Sequence, residues 1–353
     1  MNRSVFAKIY AVILTLGFIA GEIVLIANPA FQTVDGSIEL LVGLVFALFV
    51  APTVHELGHI VFALAMKMQL RYTKFFCVKI QKQAGRYAFS FANPFALDET
   101  QVVPTVGGNM QKRATWYTLG GLIFSAGLVC ALLVPAILLS CFGISNAFLW
   151  ASVPYAIYLL CLNVAPFEYG NGKTDALVYL GIKKGSPVES AMLFAMDAQG
   201  RLFAGERYRE LEDEAVKFPV ISEDEPLFSI CYDIKYRRAL DLGDLPLAAD
   251  CLKRMTQSEA YLSGYERERL ASELTYMHAI NGDFESANAC AKLCEGYLTG
   301  ATASAKRVLA TVAWCAGKTE ESKVLMEQAR TALQKEEILG EKYFEEELLS
   351  RLT

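Results

Sequence analysis

The sequence predicts an all-α polytopic membrane protein of about four transmembrane helices, with a small β-hairpin between the second and third and a soluble α-helical repeat domain toward the C-terminus. Three observations carry that expectation. Of the 353 residues, 54% are hydrophobic, and mean hydropathy is +0.30. Soluble chains usually stay at or below about half apolar. Four stretches reach the roughly 20 residues that a bilayer crossing requires. After about Lys184 the pattern becomes charged, alanine- and leucine-rich and helical in period, with no apolar run of spanning length.

The spans run roughly from Val5 to Asn28, Ile38 to Met66, Ala114 to Phe142 and Ala147 to Pro166. The first is longer than a signal-peptide core and no small-residue cleavage site follows it, so it reads as a retained membrane helix. It carries Glu22, to which no chemistry is assigned. Residues 1–37 then form an N-terminal transmembrane helix with an outer loop, 38–185 a membrane core of three helices, and 186–353 the helical-repeat domain.

Between the second and third spans the period changes from helical to alternating. Arg71 to Ile80 places Tyr72, Lys74, Phe76, Val78 and Ile80 on one side, Gln83-Ala84-Gly85 reads as a turn, and Arg86 to Phe91 aligns Tyr87, Phe89 and Phe91. Alternation, turn and alternation together predict a β-hairpin. Asn93-Pro94, Pro104 and Gly107-Gly108 are expected to break the remainder of the connection.

Lysine and arginine flank the spans unevenly. Arg3 and Lys8 precede the first, and Lys67, Arg71, Lys74, Lys79, Lys82, Arg86, Lys112 and Arg113 lie between the second and third; the other two connections have none. Cytoplasmic loops carry the basic excess, so both termini are expected in the cytoplasm of a bacterial cell. The net charge of -5 with no large basic face argues against a nucleic-acid partner. The 9 cysteines show no CxxC or zinc-ribbon spacing, and Cys130, Cys141 and Cys161 fall in apolar runs, so they read as reduced structural thiols.

The C-terminal part repeats a unit around a glycine. Arg238-Ala239-Leu240-Asp241-Leu242-Gly243-Asp244, His278-Ala279-Ile280-Asn281-Gly282-Asp283 and Trp314-Cys315-Ala316-Gly317-Lys318 each stand between two helical stretches. Small residues such as Ala248, Ala249, Ala287 and Ala289 suit close helix approach. The spacing lies near the tetratricopeptide period of about 34 residues, although the full consensus is absent. His278, outside the motif described next, reads as a packed or surface residue.

The chemistry concentrates in His55-Glu56-Leu57-Gly58-His59, inside the second span. On a helix, residues four apart share a face, so His55 and His59 can direct two imidazoles at one zinc ion while Glu56 stands beside them as general base. Ionisable side chains within a membrane helix are costly and mark function by default. A catalytic zinc takes three protein ligands and leaves a position open, so a further ligand is needed.

The end of the fourth span reads Asn163-Val164-Ala165-Pro166-Phe167-Glu168-Tyr169-Gly170-Asn171-Gly172-Lys173-Thr174-Asp175-Ala176. HExxH on one membrane helix, followed two helices later by NxxP and an acidic residue, resembles the site-2 protease family of intramembrane zinc metalloproteases. The resemblance covers roughly Ile38 to Lys184. It implies a three-helix core, His55 and His59 as zinc ligands, Glu56 as the base, and Asn163 and Pro166 shaping the turn that bears the third ligand. In the common register of that family the third ligand falls at Asn171, which brings no charge to the cation. Asp175, four residues on, is the preferred ligand, and Glu168 is an outside candidate. Ala176 stands where the family has glycine, and Gly120-Gly121-Leu122-Ile123-Phe124-Ser125 only loosely matches the family pattern in the third span.

The resemblance implies hydrolysis of peptide bonds in membrane-embedded or membrane-proximal proteins. An exposed hairpin edge could hold such a substrate extended, and the repeats could recruit the substrate or a regulatory protein. Two alternatives stand beside it: a catalytically inactive membrane scaffold on the same core, and a membrane-anchored metallopeptidase acting on soluble peptides.

Overall fold

The computed structural model describes residues 3–83, 86–93, 99–169, 172–212 and 218–352. The chain divides into two compact units, residues 1–103 with 111–186, and residues 104–110 with 187–353. The first helix therefore belongs with the membrane core, and a short piece of the connection before the third span belongs with the C-terminal helices.

In the first unit, α1 (Arg3–Ala27), α2 (Val34–Ala65), then after the sheet α3 (Met110–Cys141) and α4 (Ala147–Val164), are long and apolar enough to cross a bilayer, which marks a membrane protein. Most of their large side chains face outward, and the packing is made by small ones. On α2 the buried residues include Gly36, Leu40, Gly43, Ala47, Ala51, His55, Gly58, His59 and Ala63, a helical stripe that lets neighbouring backbones approach. A side chain at Gly43 would collide with the Phe148 carbonyl of α4, and Ser152 Oγ donates to the Gly43 carbonyl at 3.0 Å. Farther along α2, Gly58 faces the Gly120 carbonyl of α3 with no room for a Cβ.

The connection between α2 and α3 differs from the expected hairpin. It contains four strands, β1 (Met68–Phe75), β2 (Val78–Gln83), β3 (Arg86–Phe91) and β4 (Glu99–Pro104), in the spatial order β3-β2-β1-β4. The run from Arg71 to Ile80 is not a single strand. It turns at Phe76-Cys77, where Phe76 takes a left-handed φ of 48° and Phe75 pairs with Val78. Because two turn residues keep the alternation in phase, the sequence period passes through the turn undisturbed. The Arg86 to Phe91 strand is as expected and pairs with β2, while Ala84 and Gly85 of the predicted turn lie outside the described residues. The stretch from Glu99 to Pro104, expected to be broken, is a strand that ends at its proline, where the ladder loses a donor.

After α4, Glu168–Tyr169 (β5) and Gly172–Lys173 (β6) form a small antiparallel pair leading to α5 (Asp175–Lys184), which Gly185 ends in a left-handed C-cap at φ 64°.

The second unit is helical: α6 (Pro187–Phe203), α7 (Pro226–Leu242), α8 (Leu245–Gln257), α9 (Gly264–Ile280), α10 (Phe284–Leu293), α11 (Glu295–Thr299), α12 (Ala303–Cys315), α13 (Thr319–Leu333) and α14 (Leu339–Ser350). Among the described residues, α7 with α8, α9 with α10, and α12 with α13 turn at Gly243, Gly282 and Gly317, whose φ values of 80°, 76° and 76° a side chain would strain. Leu240, Leu252, Val308, Phe344 and Leu348 are among the core residues. A buried ionic cluster runs through it: Arg307 bonds Glu273 at 2.6 Å and Glu345 at 2.7 Å, and Arg237 bonds Asp233 at 3.0 Å and Glu341 at 2.9 Å. His278 is partly exposed, 3.3 Å from Asp283.

Candidate metal centre

His55 and His59 face inward because they lie on the buried stripe of α2, one turn apart. Their Nε2 atoms are 3.3 Å apart, and Asp175 Oδ2 lies 3.3 Å from the first and 3.4 Å from the second. Among the described residues these three form the group able to hold a metal ion, and Glu168 is not part of it. Glu168 is exposed on β5, paired with Lys173. Asn171 lies outside the described residues.

The loop bearing Asp175 is closed by a residue that the motif does not contain. Pro166 biases Ala165 to an extended backbone, with ψ 132°, and α4 stops there. The buried Thr174 hydroxyl then donates to the Ala165 carbonyl at 2.7 Å, accepts from the Phe167 amide at 3.1 Å and caps α5 by accepting from Leu177 N at 3.4 Å. One hydroxyl thus ties both ends of the loop and sets Asp175 at the first turn of α5. Asn163 is buried on the last turn of α4, where its amide donates to the Leu159 carbonyl at 3.2 Å. Its bond is within its own helix, and the loop closure belongs to Thr174.

The other faces of the imidazoles are held by α3. His59 Nδ1 donates to the Tyr117 carbonyl at 2.8 Å, and His55 Nδ1 shares a hydrogen bond with Ser125 Oγ at 3.0 Å. Such outer partners fix ring orientation and tautomer at metal sites. Gly121 lies between them, and a Cβ there would stand 2.5 Å from His59 Nε2 and 2.7 Å from His55 Cε1. The loosely matching Gly120 to Ser125 stretch therefore supplies the floor of the site. A small polar residue beside paired glycines in an apolar span was the available signal.

Burial pushes the Asp175 carboxyl up, and the two adjacent imidazoles outweigh it and hold it at about 2, an anion at neutral pH. A cation entering the site would displace the imidazole protons that face Asp175, and His59, keeping the Nδ1 proton it donates to Tyr117, would then present a lone pair at Nε2. Asp175 Oδ2 is buried and lacks a hydrogen-bond partner of acceptable geometry, despite its short distances to both nitrogens. Two imidazole nitrogens and a carboxylate oxygen converging on one point are a donor set that could hold a cation. The triangle of 3.3, 3.3 and 3.4 Å also has the edge length that a tetrahedral centre imposes, about 3.3–3.4 Å for metal–ligand bonds near 2.0–2.1 Å.

Glu56 is buried next to the pair but outside the three-atom group, and its Oε2 accepts from Thr100 Oγ1 of β4 at 2.5 Å. Nothing in the sequence pointed to Thr100, since β4 itself was not expected. Compared with protein-family models, with curated proteins and with solved structures, the chain matches none of them.

Proposed function

We propose that this chain is an intramembrane zinc metalloprotease of the site-2 protease kind, hydrolysing peptide bonds in membrane-embedded or membrane-proximal substrates. The observation that carries the reading is the near-equilateral triangle of His55 Nε2, His59 Nε2 and Asp175 Oδ2, built on a membrane-length helix with a carboxylate beside it. His55, His59 and Asp175 would hold the ion, with Asp175 preferred to Asn171. Bound there, zinc supplies an acidified water and polarises a carbonyl.

The remaining work falls to the chain itself. Glu56 is the general base that takes the proton from the attacking water and delivers it to the leaving amine. Ser125 and the Tyr117 carbonyl keep both imidazoles aimed, so the ligand atoms need no rearrangement to bind. Gly121 keeps the floor open. The basic connection between the second and third spans supports a site near the cytoplasmic face of a bacterial membrane, with both termini in the cytoplasm. The three glycine-turned helix pairs support a tetratricopeptide-like domain that recruits the cytoplasmic part of a substrate or a regulatory protein.

The test pairs two variants of the full chain. Glu56→Gln should retain zinc and lose hydrolysis by about 10²–10⁴-fold, measured on co-expressed membrane proteins that release a fragment in the presence of the wild type. His55→Ala should lose both metal and cleavage. Full cleavage by Glu56→Gln would refute Glu56 as the base, and absence of metal from the wild type would favour the inactive scaffold.

A further inference from the structure

The hydroxyl on Glu56 belongs to a chain of contacts that runs away from the metal site. An ionised carboxylate only accepts hydrogen bonds, so Thr100 Oγ1 is the donor to Glu56 Oε2 at 2.5 Å. Its single proton being used there, Thr100 must accept from Thr73 Oγ1, 2.9 Å away on β1 and fully buried. The Thr100 backbone is also held, since Tyr117 Oη donates to its carbonyl at 2.6 Å, and the same Tyr117 accepts from His59 Nδ1 through its own carbonyl. The order Thr73, Thr100, Glu56 orients the carboxylate, and Tyr117 ties the strand carrying Thr100 to a metal-ligand candidate.

A second observation concerns where that strand goes. Four residues after Thr100, at Pro104, the chain passes into the C-terminal unit, and it returns only at Gln111. Within that unit the 104–110 segment is gripped by α6. Gly108 N donates to Asp197 Oδ1 at 2.5 Å, and Arg201 Nε donates to the other oxygen of Asp197 at 3.0 Å. Gly200 has no room for a Cβ against the Val106 carbonyl. Gly108 and Asn109 then turn through left-handed φ values of 78° and 54° before α3 begins. A strand of six residues is thus fixed by its side chain in one unit and continues directly into a hook held by the other.

We infer that Thr100 is the positioning residue for Glu56, and that the grip of α6 on residues 104–110 sets how firmly β4 presents that hydroxyl. The inference rests on reading Glu56 as the base. It gives the C-terminal unit a covalent route to the chemistry: loosening the hook lowers the rate of the reaction.

The experiment uses the full chain in phospholipid vesicles, with a quenched transmembrane-peptide library as the activity probe and backbone hydrogen exchange of residues 99–103, read on metal-free protein, as the second readout. Thr100→Val keeps shape and removes the donor. It should lower kcat by about ten- to a hundredfold, the worth of a hydrogen bond to a charged group, with KM and zinc content unchanged. Thr100→Ser should recover most of the rate, whereas a packing role would make Ser the worse replacement. Asp197→Ala should raise exchange across residues 99–103 and lower kcat in the same sense, and Asp197→Asn, which keeps an acceptor, should do neither. A wild-type rate for Thr100→Val would overturn the positioning role, and unchanged exchange in Asp197→Ala would overturn the coupling. If Glu56→Gln is itself fully active, the base assignment fails; if it is inactive while Thr100→Val is normal, only the present inference fails.

Discussion

Gly121→Ala offers the sharpest test of the proposed metal centre because it adds one methyl group, no charge and no polar atom. The Cβ would stand 2.5 Å from His59 Nε2, 2.7 Å from His55 Cε1 and 2.9 Å from His55 Nε2, while ordinary contact begins near 3.4 Å. The shortfall at His59 is about 0.9 Å (3.4 − 2.5), several times the roughly 0.2 Å tolerance of metal–ligand distances. The methyl cannot retreat, because α3 is held against α2 by the Gly58–Gly120 backbone contact one residue away. The imidazoles must move instead, stretching the Nδ1 bonds to Tyr117 and Ser125. Disturbing such outer bonds typically lowers metal affinity about 10–100-fold, or roughly 1.4–2.8 kcal/mol, and direct displacement of both ligands should reach at least the upper figure. The assay is a competition titration with a zinc chelator on full-length protein in detergent. Gly127→Ala is the control: it lies on the same helix, has nothing within 4 Å of its Cβ position, and should bind zinc as the wild type does. Equal affinity for all three proteins would refute the claim that Gly121 forms the floor of a metal site, and equal loss in both variants would show a general sensitivity of α3.

Thr174→Val should weaken zinc binding although Thr174 is no ligand, because it strips the Ala165 carbonyl and Phe167 amide of their shared partner, at about 1–3 kcal/mol; Thr174→Ser should restore binding in the same titration. In the C-terminal unit, Arg307→Met leaves Glu273 and Glu345 buried without their cation and should lower unfolding stability by about 3–5 kcal/mol in urea, with the added changes Glu273→Gln and Glu345→Gln recovering most of it. Reporter fusions after Lys184 and within Arg71 to Arg113 should both register the cytoplasm, and an external signal at either would overturn the orientation.

What could be read in the sequence depended on whether the signal was local. The four spans carry their information in runs of 18 residues or more, and small end effects apart they stand where expected. The histidine pair is equally local, since helical period alone aligns residues 55 and 59. Asp175 is preferred to Asn171 because it brings a charge, and among the described residues it lies beside both imidazoles while Glu168 does not. The sheet was harder. A two-residue turn at Phe76 preserves alternation, so two strands looked like one, and β4 follows Asn93-Pro94 and ends at a proline. Its partner β1 lies far back in the chain, which single-strand patterning does not reveal. Thr73, Thr100, Ser125 and Thr174 each act through one hydroxyl whose partner is distant in sequence or on another element, and threonine is too common in strands and caps to announce such a role.

The distribution of those hydroxyls has a physical logic. A buried polar atom without a partner is costly, so a buried site with two imidazoles and two carboxylates must bring its own donors and acceptors. Here they come from α3, from the sheet and from the loop after α4: one partner for each Nδ1, one for Glu56, and Thr174 for the loop that carries Asp175. Asp175 Oδ2 is the buried carboxylate oxygen left without a hydrogen bond, at the point where both Nε2 atoms converge. Both Nδ1 atoms and Glu56 Oε2 have partners within the protein, so among these described groups the unmet charge falls at Asp175 Oδ2. A cation there would offset the Asp175 charge and take the Nε2 positions of both imidazoles. Metal binding should therefore stabilise the membrane unit directly while leaving the geometry of α2 and α3 nearly unchanged.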